Sequence, residues 1–398
     1  MAASCCKQVF YINSLHNVEQ LVYGAIRSVL TGRPGPVVIA IPQELQRADI
    51  SISDVLMPIS YVAEGMVKPD RKIVREVEEL FHKASNPLII FGKGIRNEKI
   101  EDIAHIVSGN CPYITSYAAK GSVPVLSNYL GTIWYANADH IYEVLEKADM
   151  VLAIGEEFTA FSFNKLKSYH AFSNLVQVHA DSNELGRSFA CKLAVQSDIH
   201  FFLTNIYLTK KAWNIDSPLK AKKKSDTLSF ITSLAQNLPE ESTFFADVGN
   251  AGYAAISDMD LKEGQKFYTT GKFGLCGWSV PTAIGYAVSS PHSMVLSITG
   301  DLSFNMNMQE LASLRRYKTK YHAIVCNNHG PQNILRDQVD ELSKEIQSED
   351  QQVNYKGIAD AYGLIYQKVK EGKEIAELVK GQKNFLFEIE LDRYDYPI

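Results

Sequence analysis

The stretch "SITGDLSFNMNMQELASLRRYKTKYHAIVCNN", residues 297–328, contains two apolar runs typical of β-strands with a helix-like run between them. The first apolar run ends in Gly300 and Asp301, and the second ends in Asn327 and Asn328. A right-handed βαβ crossover places its two parallel strands close together in one sheet, with their carboxyl ends facing the same crevice. The sequence therefore predicts that Asp301 and Asn328 converge at one edge of a parallel sheet.

The chemistry of this pair suits a divalent cation. A carboxylate oxygen, an amide oxygen and a nearby main-chain carbonyl are hard ligands for Mg²⁺, and they leave other octahedral positions for phosphate oxygens and water. The helix that begins just after Gly300 directs its amide donors and its positive end toward such a phosphate. The alternative is structural: Asp301 caps a helix, and Asn327 and Asn328 form a turn.

Helices and strands alternate on both sides of this stretch. Helix-like runs precede the apolar runs "NPLIIFG", "CPYITS" and "DMVLAIG", and a second alternating set extends from "TFFADVGN" to "NFLFEIELD". This alternation predicts an α/β protein with two doubly wound parallel sheets, a central Rossmann-like domain over residues 51–208 and a second domain over residues 227–398. We expect the basic segment 209–226 to be a linker, with an interaction patch as the alternative.

The first 50 residues contain only one αβ unit, with the helix-like run "VEQLVYGAIRSVL", the turn "TGRPGP" and the strand-like run "VVIAI". A strand that is apolar at every position needs cover on both faces, which so short a segment does not supply alone. We therefore expect residues 1–50 to be the remnant of a third α/β domain whose other part lies upstream.

The bulk properties exclude several classes of protein. A length of 398 residues suits two or three domains, because single cores stop growing near roughly 250–300 residues. A net charge of -5 gives no field that attracts nucleic acid, and the six cysteines form no C-x-x-C pair. Since no apolar run approaches the length of a membrane helix, we expect a cytoplasmic protein without nucleic-acid or membrane partners.

The "GD" and "NN" pairs, with Asn328 27 positions after Asp301, resemble the signature of thiamine diphosphate-dependent enzymes. In that family this Asp and this Asn hold the Mg²⁺ that anchors the diphosphate. The stretch "GRPGPVVIAIPQELQ", residues 32–46, resembles the end of the pyrimidine-binding domain of acetolactate synthase-like members. "FADVGN" resembles their first diphosphate-side loop, and "GLCGWSVPTAIGYA" resembles their segment of glycine, bulky residue and glycine that leads into a helix.

The resemblance implies roles by position. Residues 227–398 would be the diphosphate-binding and Mg²⁺-binding domain, in which Gly249 and Asn250 approach the diphosphate. The Gly274 carbonyl and the Cys276 amide would pair with the aminopyrimidine; the alternative is that Gly274 and Gly277 only allow close helix packing. The other cofactor-contacting residues that it implies are Gly300, Asp301, Leu302, Ser303 and Asn328. The metal ligands that it implies are Asp301, Asn328 and the carbonyl of Gly330.

The sequence departs from the family pattern at three places. Leu302 stands where a second glycine is usual, and its side chain crowds a backbone that should approach phosphate closely. Cys276 stands where members commonly have a large aliphatic residue or Met, which bends the cofactor. The segment "HGPQNILRDQ" replaces a loop with Gly and Tyr that shapes the substrate pocket, so substrate choice does not transfer. His329 in this segment could reach a substrate, whereas His322 is expected in the core.

The family's activating glutamate lies in the pyrimidine-binding domain, well upstream of "GPVVIAIP", and neither Glu19 nor Glu44 is placed to replace it. The resemblance thus implies an N-terminally truncated, acetolactate synthase-like catalytic chain that decarboxylates a 2-oxo acid, with carboligation or release of an aldehyde. The pyrimidine half of the site would come from another chain, in a homodimer or other homo-oligomer or through association with a chain that carries that domain. Two alternatives stay open: a non-catalytic fragment or pseudoenzyme, and a nucleotide-binding module that uses the Gly92 to Gly94 turn of the central domain.

Overall fold

A computed structural model of the chain describes residues 2–31, 33–49, 67–109, 111–134, 138–166, 170–209, 212–213, 215, 226–270, 273–346, 353–381 and 383–392. These residues form two six-stranded parallel sheets flanked by helices and a separate two-stranded parallel sheet. The predicted α/β class with two doubly wound sheets is confirmed. The basic segment 209–226 falls mostly outside the described residues, and the domain boundaries stay a prediction.

The amino-terminal unit consists of two parallel strands and two helices. Its elements are β1 (Gln8–Tyr11), α1 (Val18–Leu30), β2 (Val37–Ala40) and α2 (Gln43–Gln46). The sequence predicts α1 and β2, and β1 is additional. No residue of β2 is fully buried, so the described residues do not cover both faces of this apolar strand.

The central sheet has the strand order β5-β4-β3-β6-β7-β8. Its elements are α3 (Arg71–Lys83), β3 (Pro87–Phe91), α4 (Ile100–Val107), β4 (Tyr113–Ser116), β5 (Tyr129–Ile133), α5 (Asp139–Lys147), β6 (Met150–Ile154), α6 (Ala160–Phe163), β7 (Leu175–His179), β8 (Leu193–Gln196) and α7 (Ile199–Asn205). The side chains of β3 alternate between two buried cores, with Ile89 and Phe91 on one face and Leu88 and Ile90 on the other. Burial on both faces explains why the strand is apolar at every position.

The carboxyl-terminal sheet has the strand order β10-β9-β11-β12-β14-β13. Its elements are α8 (Asp226–Asn237), β9 (Ser242–Ala246), α9 (Asn250–Asp258), β10 (Lys266–Thr269), α10 (Ser279–Ser289), β11 (Met294–Gly300), α11 (Asp301–Asn307), α12 (Ala312–Tyr317), β12 (His322–Asn327), α13 (Gln332–Leu342), α14 (Tyr355–Tyr362), β13 (Ile365–Lys368), α15 (Gly372–Leu378) and β14 (Phe385–Glu390). The crossover between β11 and β12 is α11, a 3₁₀ turn and α12, where the sequence analysis predicts a single helix. Among the described residues, no helix is long and apolar enough to cross a membrane.

The register of the central strands aligns their carboxyl ends. Strand β11 pairs with β9 on one side and β12 on the other, and Gly300 lies opposite Cys326. Ala246, the last residue of β9, lies opposite Ile298. The residues that follow these three strands therefore share one edge of the sheet, where parallel α/β sheets bind ligands.

The two large domains contact each other through polar side chains. Arg96 of the central domain donates from Nη1 to the carbonyl of Phe267 at 3.0 Å, and its guanidinium lies 4.8 Å from the centre of the Tyr268 ring. Burial lowers the pKa of Arg96 to about 10. Trp134 Nε1 donates to Ser257 Oγ at 2.7 Å. These contacts fix the central domain against the carboxyl-terminal sheet beside β10.

Buried His322 makes stability depend on pH. Its ring is fully buried beside Phe385 and Phe387, neither ring nitrogen forms a hydrogen bond with any residue that the structure describes, and burial lowers its pKa to about 3. Below pH about 6.5 the unfolded chain takes up a proton that folded His322 does not, so stability falls by up to about 1.4 kcal/mol per pH unit until about pH 3. We expect His322→Phe to reduce this dependence, measured by urea unfolding between pH 7 and pH 4.5. The same replacement at exposed His292 is the control, and an unchanged pH dependence in His322→Phe would contradict the expectation.

Candidate functional site

A cavity of about 280 Å³ lies at the carboxyl ends of β9, β11 and β12. Its size is close to the lower end of small-molecule pockets, roughly 300 Å³. The lining contains nine of the residues that the sequence analysis singles out: Gly249, Asn250, Cys276, Gly300, Asp301, Leu302, Ser303, Asn328 and Gly330. The tenth, Gly274, lines a smaller neighbouring cleft with Asp247 and Trp134, between the two large domains.

Asp301 connects the start of the crossover helix α11 to the loop that follows β12. Its side chain is nearly buried, Oδ1 accepts from the Leu302 main-chain N–H at 2.7 Å, and Oδ2 accepts from the Gly330 N–H at 2.7 Å. The carboxylate at the start of α11 thus reaches the loop after β12, two residues beyond Asn328. The sequence predicts this convergence, and the metal role of Asp301 and Asn328 stays a prediction.

The segment 328–332 is tightly folded. The Gln332 N–H donates to the Gly330 carbonyl at 2.9 Å across Pro331, whose φ of -82° and ψ of 63° are those of an inverse γ-turn. Gln332 Nε2 donates to the Asn328 carbonyl at 2.9 Å. The Gly330 carbonyl, the predicted third metal ligand, is therefore one acceptor of the turn, and a carbonyl oxygen retains a second lone pair for a cation.

The two adjacent asparagines differ in their surroundings. Asn327 donates from Nδ2 to Glu388 Oε1 at 2.8 Å and accepts from the His329 N–H at 3.3 Å, while Glu388 Oε2 accepts from the Tyr366 hydroxyl at 2.6 Å. Asn328 instead lines the cavity. Asn327 thus connects the loop to β14. Its contact with the His329 N–H accompanies a backbone φ of 63° at His329, which residues other than glycine rarely adopt.

Asp247 is a buried residue of the site that the sequence analysis leaves without a role. Its Oδ1 accepts from the N–H groups of Val248 at 2.9 Å and Gly277 at 3.1 Å, and its Oδ2 accepts from the Ser279 N–H at 2.9 Å. Burial raises the pKa of Asp247, against the effect of these hydrogen bonds. One carboxylate therefore holds the loop after β9 against the segment that enters α10. Its position in "FADVGN", directly after a buried strand, is the signal that could have identified it.

The cavity has features that suit a diphosphate. Gly249 precedes α9 with a φ of 117°, and a Cβ atom added to Gly249 or Gly300 would have no atom of the described chain within 4 Å, apart from the glycine itself and its two neighbours in sequence. A phosphate could therefore approach the main chain at both helix starts. Asn250 Oδ1 is buried and has no hydrogen-bond partner among the residues that the structure describes, so this oxygen is available to a donor of a bound ligand. Leu302 is 36% exposed at the cavity wall, so its side chain does not fill the cavity.

The metal ligands that the sequence predicts are of mixed type. Within the part of the chain that the structure describes, no group of three or more His, Cys, Asp or Glu side chains could hold a metal ion. The candidate site has one carboxylate, Asp301, and its other oxygens come from an amide and the main chain. Such an oxygen set suits Mg²⁺, which retains several waters and is held partly by phosphate.

The central domain has glycine turns at its topological switch point, between β3 and β6. Gly94 N–H donates to the Gly155 carbonyl at 2.9 Å, and a Cβ atom added to Gly92 would lie 2.2 Å from the Cα atom of Glu156. The glycines therefore allow two turns to pack directly on each other. This geometry favours a tight strand-to-helix turn over a dinucleotide-binding loop.

Comparison with known proteins finds two family models on this chain. Residues 74–206 match the thiamine pyrophosphate enzyme central domain, and residues 247–385 match the thiamine pyrophosphate enzyme C-terminal TPP-binding domain. The chain is 25% identical to the acetolactate synthase isozyme 1 large subunit of Escherichia coli, over 81% of this chain and 60% of that protein. It is 24% identical to the acetolactate synthase large subunit of Lactococcus lactis, over 96% of this chain and 70% of that protein.

These relatives are longer than the chain, which spans about 60% of the length of the first of them. The first matched model spans all strands of the central sheet, and the second spans β10 to β13 of the carboxyl-terminal sheet and includes Asp301, Asn328 and Gly330 of the cavity. The chain therefore belongs to the thiamine pyrophosphate (thiamine diphosphate) enzyme family and carries the central and C-terminal domains of that family.

Proposed function

We propose that this chain binds thiamine diphosphate together with Mg²⁺ and takes part in the decarboxylation of a 2-oxo acid, with carboligation or release of an aldehyde, as an acetolactate synthase-like subunit. The observation that carries the proposal is the Asp301 carboxylate bound to the loop of Asn328 and Gly330 inside the cavity. Two matches support it, one to the C-terminal TPP-binding domain and one to acetolactate synthase large subunits.

The residues of this chain would divide the work between metal and cofactor. Asp301, Asn328 and the Gly330 carbonyl would hold Mg²⁺, and Gly249, Asn250, Gly300, Leu302 and Ser303 would surround the diphosphate. Gly274 and Cys276 would contact the aminopyrimidine. When bound, thiamine diphosphate supplies the electron sink for decarboxylation. The chain would position that group and exclude water around it, with Leu302 and Met306 as the apolar wall.

The partner that we propose is a second copy of this chain or a chain that carries the pyrimidine-binding domain. No glutamate lines the cavity among the described residues, so the activating carboxylate would come from a chain that carries the pyrimidine-binding domain. A second candidate, a chain that binds the cofactor without turnover of its own, is favoured by the same observation and by Leu302 at the diphosphate side.

Titration calorimetry tests the proposed function. We expect thiamine diphosphate to bind in the presence of Mg²⁺ and to bind at least ten times more weakly with excess chelator, because the metal neutralises the diphosphate beside Asp301. No heat of binding with the metal present would refute the proposal.

Pyruvate consumption separates the two candidates. The assay is made with the chain alone and with a polypeptide that carries the pyrimidine-binding domain. Turnover that depends on the added polypeptide supports the acetolactate synthase-like function. Cofactor binding without turnover in either assay supports the second candidate, a chain that binds the cofactor without catalysis.

A further inference from the structure

Gln332, the first residue of α13, has a buried amide with one unsatisfied atom. Its side chain is 2% exposed and lines the cavity, and Nε2 donates to the Asn328 carbonyl at 2.9 Å. Its Oε1 is buried and accepts no hydrogen bond from the described residues. The reverse orientation of the amide would place two oxygens together, so the contact with Asn328 sets which atom stays without a partner. A buried acceptor of this kind calls for a donor that binds in the cavity.

The Gln332 amide lies directly against the segment that contains the predicted metal ligands. A Cβ atom added to Gly330 would lie 3.8 Å from Gln332 Nε2, and the Gly330 N–H donates to Asp301. The main-chain N–H of Gln332 also donates to the Gly330 carbonyl. Gln332 thus binds the carbonyls of both Asn328 and Gly330, and its free oxygen lies beside them.

The donor that this oxygen needs is not a phosphate. Ionised diphosphate oxygens only accept hydrogen bonds, so they cannot satisfy an amide oxygen. Water bound to a divalent cation is a strong donor, and Mg²⁺ in proteins usually keeps several waters. Acceptors in the outer shell of a metal site orient such groups, and their replacement typically weakens metal binding by about 10- to 100-fold.

We propose that Gln332 is a positioning residue of the metal site. Its amide nitrogen holds the Asn328 carbonyl, and its amide oxygen accepts a hydrogen bond from water bound to the divalent cation. This assignment rests on the proposed function, because it needs Mg²⁺ at Asp301 and Asn328.

The first test measures Mg²⁺ affinity by calorimetry with the full chain saturated with thiamine diphosphate. Gln332→Met keeps the length of the side chain and removes both polar atoms, so we expect the Mg²⁺ dissociation constant to rise by about 10-fold or more. The matched control is Gln338→Met, the same replacement on the same helix at a residue that does not line the cavity; it should leave the affinity unchanged. Equal affinities in wild type and Gln332→Met would overturn the proposal.

Gln332→Glu separates the two contacts of the amide and serves if the Met variant does not fold. Glutamate retains an oxygen next to the hydrated cation and adds a negative charge, but it has no N–H for the Asn328 carbonyl. If the oxygen faces the metal waters, Gln332→Glu binds Mg²⁺ at least as tightly as wild type. Mg²⁺ affinity about 10-fold or more below that of wild type would show that Gln332 acts only through its contact with Asn328, and would overturn the proposal.

Mn²⁺ in place of Mg²⁺ provides a spectroscopic readout. We expect the electron paramagnetic resonance spectrum of bound Mn²⁺ to change in Gln332→Met and to be retained in Gln338→Met. Failure of the wild type to take up either metal with thiamine diphosphate would overturn the proposed function and this assignment together. Normal uptake by wild type and by both Gln332 variants would overturn only the assignment of Gln332.

Discussion

Replacing Asp301 by Asn is expected to weaken Mg²⁺-dependent binding of thiamine diphosphate by about 100-fold or more, which is roughly 2.7 kcal/mol. The variant keeps the shape of the side chain and removes the only carboxylate among the predicted metal ligands. In the wild type, both carboxylate oxygens accept hydrogen bonds, from the main-chain N–H groups of Leu302 and Gly330. In the variant an amide nitrogen therefore faces one of these two donors. Calorimetry at a fixed Mg²⁺ concentration measures the change.

Asp337→Asn is the matched control for this experiment. Asp337 is an exposed carboxylate on α13 that does not line the cavity, so the variant has the same net charge as Asp301→Asn. We expect it to bind the cofactor as wild type does. Binding by Asp301→Asn at the level of this control would remove Asp301 from the metal site.

Replacing Asp247 by Ala is expected to lower the free energy of unfolding of the carboxyl-terminal domain by about 3 kcal/mol or more. The variant leaves the buried N–H groups of Val248, Gly277 and Ser279 without their acceptor, and each such group costs about 1–3 kcal/mol. Asp247→Asn should be milder, since its remaining oxygen still accepts. Urea unfolding followed by tryptophan fluorescence measures both variants.

The position of Asp247 also predicts an effect on the cofactor. Without its contact to Gly277, the segment with Gly274 and Cys276 loses its anchor on the loop after β9, so thiamine diphosphate should bind less tightly even where the domain is folded. Asp260→Ala, an exposed aspartate beyond α9, is the control for charge and should change neither quantity. Wild-type stability in Asp247→Ala would show that other groups satisfy the three donors.

The parts of the fold that the sequence predicts are the buried ones. Strands β3 and β6 are apolar along their lengths because both faces are covered, and this composition is visible in the sequence. Strands β5, β8 and β13 were missed. Each lies at an edge of its sheet, β5 contains a glycine, and residues of β8 and β13 are exposed, so their composition resembles that of loops.

The sequence predicts those features of the site that depend on residue type and on position at the end of a strand. Asp301 and Asn328 follow neighbouring strands, and the structure brings their loops together. The separate surroundings of Asn327 and Asn328 depend on Glu388 and Tyr366, which are distant in sequence. The location of Gly274 in the neighbouring cleft and the contacts of Asp247 likewise depend on how separate loops pack, which no local pattern encodes.

The strand order places the cavity over β9, β11 and β12, with β10 on one side and β14 and β13 on the other. The outermost strands can therefore open transiently while the inner ladder stays intact. Amide hydrogen exchange should then be fast along β13 and slow along β11. Local unfolding of the edge strands would therefore leave the loops around the cavity in place.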